Sequence, residues 1–335
     1  MKHLVSAWTT ALALALAIAG FAVPVSGQSR PVAPKKWTAP RTPDGHPDLQ
    51  GIWSNATITP FERPNQLAGK EFLTEQEAAG YEKTFAQENN RDQRGSDADA
   101  DLKGAYNELW FDRGTKVVPT RRTSLVFDPP DGKVPPLTPA AQRAAAAREK
   151  IAQRPPEGPE DLALLVRCLV WPTVGPPMLP TAYNNNYQIL QGPGYVAILT
   201  EMIHDVRMIP LDGRPHIPAS IRQWLGDSRG RWEGNTLVVD TTNFTGKTNF
   251  SGSDENLHLI ERFNRTSENT ILYEFTVDDP TAFTRVWKGE VPFTKAPGPI
   301  YEYACHEGNY SMESILRGAR VQEKAAAEAA KTEVK

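Results

Sequence analysis

The chain has 335 residues, 39% of them hydrophobic and 23% charged, with 37 basic against 40 acidic side chains. That is apolar enough for a core and too evenly charged for an extended polyelectrolyte. A formal net charge of -3 gives no field for holding nucleic acid or an anionic membrane surface, so those partners are set aside. Proline is the outlier: 29 residues, nearly twice the usual share of about 5%.

Lys2 and His3 precede an apolar stretch from Leu4 to Val23, and Val25, Ser26 and Gly27 then supply small residues for cleavage. Residues 1–27 read as a secretory signal peptide, which predicts a periplasmic or secreted protein. No later stretch reaches the roughly 20 uncharged apolar residues of a membrane span, so no integral membrane segment is expected after cleavage.

Residues 28–165 read as an extended and helical N-terminal layer. Thr74 and Glu77 have capping-box spacing, opening a helix that runs to about Asn90. Thr138 and Pro139 place a cap and a first-turn proline before a helix over Ala140 to Gln153. Asp97, Asp99, Asp101 and Glu108 imitate a calcium loop, but Leu102 stands where the sharp turn needs glycine, so a solvated acidic loop is expected and no metal.

Residues 166–311 read as the β core. Proline is absent from Ala219 to Asp279, and a central strand needs every N–H that proline lacks. Within that stretch, and in Tyr187 to Ile203 before it, β-branched and aromatic residues alternate with polar ones, as in Ile271, Tyr273, Phe275 and Val277. A helix-like piece, Ile217 to Leu225, and a polar turn around Asp227 to Glu233 interrupt them. Six to eight short antiparallel strands joined by tight turns predict a mainly β fold, a meander closing into a barrel or curved sheet. Residues 312–335, rich in Ala, Glu and Lys, read as a C-terminal helical tail.

Cys168 and Cys305 are the only cysteines, and an even count in an exported chain predicts one disulfide. They lie 137 residues apart, a loop whose closure is worth about 5 kcal/mol on the chain-entropy formula.

The blocks PDLQGIW (47–53), YNNNYQI (183–189), EMIHDVR (201–207) and WEGNTLVVDTTNF (232–244) resemble a family of exported bacterial proteins of unknown function. The resemblance covers most of the mature chain. It implies export and a lipocalin-like β architecture, and transfers no activity.

Candidate chemistry therefore comes from the residues. If 201–207 is one strand, Glu201, Asp205 and Arg207 share a face while His204 lies on the apolar side between Met202 and Val206. His204 is then a general acid or base, with Glu201 or Asp205 as its partner. The plainer reading is a histidine bonded to backbone, the commoner lot of a lone imidazole. Arg207, Arg229 and Arg231 suit an anionic ligand group, while Asn185, Tyr187 and Asp240 suit a polar or aromatic one. Gly226 to Gly230 fits G-x-S-x-G, with Ser228, Asp240 and His258 in hydrolase order, but no strand-to-helix elbow surrounds it. Two functions follow: a cofactor-free lyase, hydratase, isomerase or hydrolase acting on an aromatic, terpenoid or sugar-like molecule, or a non-catalytic lipocalin-type binding protein. No cofactor motif is present.

Overall fold

The proline-free stretch supplies four strands of a ten-stranded antiparallel sheet. In this computed structural model, which describes residues 37–93, 96–103 and 107–333, the strands are β1 (Gly51–Ser54), β2 (Val126–Asp128), β3 (Asn186–Gly192), β4 (Tyr195–Thr200), β5 (Val206–Pro210), β6 (Asp227–Glu233), β7 (Thr236–Thr242), β8 (His258–Ser267), β9 (Thr270–Asp278) and β10 (Trp287–Lys295). The expected signal peptide, 1–27, lies outside the described residues. Residues 38–335 form one compact unit.

Nine strands follow one path, β5-β4-β3-β1-β10-β9-β8-β7-β6, and β2 pairs on β10. The sheet curls into a nearly closed barrel, as the alternation predicts. An odd number of antiparallel strands leaves the two edges, β5 and β6, running in the same direction, so no antiparallel ladder joins them. Side chains span the seam instead. Arg207 Nε on β5 donates to Ser228 Oγ on β6 at 3.0 Å, and Ile209 and Leu211 cover Gly230, where a Cβ would strike both.

Two strands come from the segment read as a covering layer. β1 sits in the middle of the sheet between β3 and β10, because Trp53 points inward to full burial and its indole N–H donates to Leu49 O at 2.9 Å. β10 contains Pro292, an exception to the proline rule with a local cause. On its far edge β10 pairs with β2 at Lys288 and Gly289 and with β1 at Thr294 and Lys295, so the proline falls in the gap between two partners. The residues around Asp227, read as a turn, are β6, and Ile217 to Leu225 forms no helix.

The lumen is filled. Trp53, Tyr187, Phe263, Tyr273, Phe275, Trp287 and Phe293 are all at most 1% exposed, with ring centroids such as Tyr273–Phe293 5.2 Å apart. Each such side chain stabilises the fold by about 1.5–3 kcal/mol through burial, which explains why these rings occupy the space a lipocalin would leave for a ligand.

Helices lie outside the barrel. α1 (Glu75–Glu88) carries the complete capping box, with Thr74 Oγ1 accepting from Glu77 N at 3.2 Å and Glu77 Oε2 from Thr74 N at 2.9 Å. α2 is Ala98–Lys103, within the acidic segment, and α3 (Pro139–Ala152) begins at the expected Thr138 cap. α4 (Tyr310–Glu333) is the C-terminal helix. The Cys168–Cys305 disulfide is formed, tying the segment before β3 to the one after β10. Among the described residues no helix is long and apolar enough to cross a membrane.

Candidate functional site

The segment Glu201 to Arg207 is not one strand. β4 ends at Thr200, a 3-10 turn spans Met202–His204, and β5 begins at Val206. Ile203 (φ 64) and His204 (φ 47) both take left-handed backbone, rare for any residue but glycine and costly for a β-branched one. The turn inverts the expected facing. Arg207 is buried toward the lumen, Val206 and Met208 face out, and His204 is exposed. The His204 Nδ1 contact is Tyr303 O at 3.1 Å, and no carboxylate is bonded to it, so the catalytic pairing with Glu201 or Asp205 is absent.

Glu201 is 4% exposed and held by neutral donors: Asn186 Nδ2 at 2.7 Å and Tyr301 N at 3.2 Å. Asp205 is half-buried, and its carbonyl accepts from Thr200 N. Asn185 is fully buried and bonds Asp112 through its backbone N–H at 3.2 Å and its amide at 3.1 Å. Burial raises the Asp112 carboxyl above its ordinary range, opposed by the Asn185 backbone bond and reinforced by the nearby Glu201 charge. Tyr187 donates its hydroxyl to Thr173 O at 2.9 Å, and burial pushes that hydroxyl well above its usual range. These residues brace the end of the barrel where β3 begins.

Arg207 belongs to the lumen. It makes a two-pronged ion pair with Glu261 on β8, whose Oε1 also accepts from Tyr273 O–H at 2.9 Å. Ser228 Oγ takes the Arg207 Nε–H and touches Thr241 Oγ1 at 3.0 Å. Ser228 therefore faces inward while Asp240 and His258 lie on the outer wall, and the hydrolase order in the sequence assembles no triad.

The outer wall of β6, β7 and β8 carries a chain of alternating imidazoles and carboxylates. His216, on the segment after β5, contacts Asp227 Oδ2 through Nδ1 at 2.8 Å and Asp240 Oδ1 through Nε2 at 3.1 Å. His258 Nε2 meets the same Asp240 carboxylate at 3.1 and 3.2 Å, and its Nδ1 lies 3.9 Å from Asp278. Arg229 caps the chain with two bonds to Asp227, at 3.0 and 3.1 Å. Ionised carboxylates only accept, so both His216 bonds form together only when both of its nitrogens carry protons. The hydrogen bond to Asp240 raises His258 above its ordinary range, and the same bond lowers Asp240. Among the described residues no group of three or more His, Cys, Asp or Glu side chains is arranged to hold a metal. Glu108, the last residue of the calcium-like spacing, is bound to Arg113 at 2.7 Å.

Arg231 is exposed and paired with Glu233 at 2.7 Å. Of the nine residues singled out for catalysis or binding, only Arg229 and Asp240 meet in one constellation outside the lumen, and His216 and Asp227 were not among them. The sequence signal for these two is a carboxylate and an imidazole flanking a proline-broken loop, which carries no fixed spacing.

A cleft of about 870 Å³ opens at the barrel end where β3 begins, between α3, residues 160–179 and residues 246–251. Leu164, Leu165, Trp171, Leu179 and Phe250 give it an apolar lining. Its acids are already paired, Glu160 with Arg167 at 3.8 Å and Asp161 with Arg154 at 3.3 Å. Trp171 Nε1 is buried without an acceptor, and Lys247 has no ion-pair partner among the described residues.

No family model, curated protein or solved structure matches the chain.

Proposed function

We propose that the protein is an exported binding protein for a small amphipathic anion, an aryl or alkyl carboxylate held in the cleft at the barrel end. The observation that carries this is the sign of the unpaired charge there. Lys247 is a cation without an ion-pair partner among the described residues, beside apolar walls, so the fitting occupant brings an anionic group on an apolar body. The volume falls in the range of roughly 300–1,000 Å³ typical of small-molecule sites. The apolar leader, the disulfide and the resemblance to exported proteins support a periplasmic or secreted location.

Calorimetric titration of the purified full chain with dodecanoate and 2-naphthoate, each against its methyl ester, tests the reading. The acids are expected to bind at least about tenfold more tightly than the esters, and Lys247→Glu to abolish that preference, the effect of losing one charge-assisted bond. Equal binding of acid and ester, or none of either, overturns it.

The acid–base reading has support at a different place from His204. Asp240 fixes His258 with Nε2 as donor, leaving Nδ1 on a 36% exposed side chain to exchange a proton. Turnover of a metabolite extract by wild type that His258→Gln abolishes, with Lys247→Glu unaffected, would favour it over simple binding.

A further inference from the structure

We infer that the opposite end of the barrel carries a second site, for a neutral pyranose ring. A pocket of about 450 Å³ lies there, between the turn Thr42 to His46 and the β3–β4 hairpin, with Arg231 and Trp232 of β6 on its wall. It shares no lining residue with the cleft, so neither site's failure bears on the other.

Two aromatic surfaces frame the pocket. The Trp232 indole stacks on His46, centroids 4.9 Å apart and planes 6° from parallel, which fixes its orientation. The Tyr195 ring lies over Gly192 so closely that a Cβ at that glycine would collide with it. Flat, pre-positioned aromatic rings suit the C–H face of a sugar at little entropic cost.

The polar groups choose among ligands. Trp232 Nε1 is buried with no acceptor, while the Asp44 carboxylate and the His46 ring nitrogens have no hydrogen-bond partner among the described residues. Arg231 is paired with Glu233, whose other carboxylate oxygen takes Arg262. An anion is repelled by Asp44, a cation leaves the indole donor unused, and a hydrocarbon leaves both unpaired. Hydroxyl groups donate and accept at once, and adjacent equatorial hydroxyls on one ring reach a donor and an acceptor together.

The test is a ¹H–¹⁵N NMR titration of the full chain, following the Trp232 indole signal assigned with Trp232→Phe. The probes are methyl β-glucoside, N-acetylglucosamine and the β-1,4-linked glucose tetramer, with glycerol as the small-polyol control. A saturable shift with pyranosides and none with glycerol is expected, weakened roughly tenfold by Asp44→Asn, the effect of one lost charge-assisted bond. Tyr195→Ala, at a position 40% exposed, is expected to weaken it similarly while the far-ultraviolet circular dichroism of the folded protein is kept. Tighter binding of the tetramer marks a polymer as the source, and equal affinity marks a free sugar; both sustain the site. No shift with any sugar, an equal shift with glycerol, or affinity indifferent to both substitutions overturns it.

Discussion

Glu261 shows what a single residue can be asked to bear. It is a fully buried carboxylate, and only the two bonds from Arg207 and the Tyr273 hydroxyl compensate its lost hydration. Removing one partner leaves the other charge stranded, so Arg207→Ala is expected to destabilise by about 3–5 kcal/mol in urea unfolding, while the double change Arg207→Met with Glu261→Leu recovers most of that. A double variant as weak as the single would show that the pair is needed for barrel closure beyond its charge balance. On the outer wall the sign of the pH effect follows from two shifts. His258 is raised above 6.5, so its stabilisation is whole below that pH and fades as pH climbs through the elevated value. Asp240 is lowered below 3.8, so its share is present above that pH and is lost as pH falls through the lowered value. The bond is strongest between these limits. Melting temperatures of wild type and His258→Asn should differ most near about pH 5–6 and converge toward about pH 9; a constant gap would assign the histidine to packing alone.

Among elements, β10 is the most constrained. It pairs with β9 along its whole length, with β2 at one end and β1 at the other, and it lays Gly289 against the Phe275 ring. The ring fills the space of the missing side chain on the neighbouring strand. Gly289→Ala should therefore overpack the lumen and cost about 1–3 kcal/mol by chemical denaturation. A neutral substitution would mean that Phe275 can rotate away, and that the aromatic row is less tightly locked than its contacts imply. The 3-10 turn at Met202–His204 is the complementary case. Two left-handed residues reverse the facing of everything after them, which carries Arg207 into the lumen and His204 out of it.

For the whole molecule, the disulfide closes a 137-residue loop that contains β3 to β10. Its contribution acts mainly on the unfolded chain, by limiting how far the ends of the barrel segment can separate. Cys168→Ser with Cys305→Ser should lower unfolding stability by about 2–5 kcal/mol, read from the urea midpoint, while the folded protein keeps its far-ultraviolet circular dichroism. An unchanged midpoint would mean that the unfolded ensemble already keeps those ends together. The aromatic-filled lumen leaves no room for a ligand inside the barrel, and the two proposed sites lie at its opposite ends.

The sequence alone determined the class of the fold. A strand must donate its N–H groups and bury alternate side chains, so proline gaps and period-two patterning mark β7 to β9 without any knowledge of partners. Thr74 with Glu77, Thr138 with Pro139, and the two cysteines are equally local signals, each set by short-range bonding or by count. Tertiary structure decided which strand enters the middle of the sheet, since β1 has four residues and no strong pattern of its own. It also decided the candidate sites. His216, Asp227, Asp240 and His258 meet because β6, β7 and β8 lie side by side with the loop after β5 folded over them, and sequence spacing encodes no such distance. His204 lies apart from the Glu201 and Asp205 carboxylates for the same reason: facing was inferred from a strand period that two left-handed residues, Ile203 and His204, interrupt.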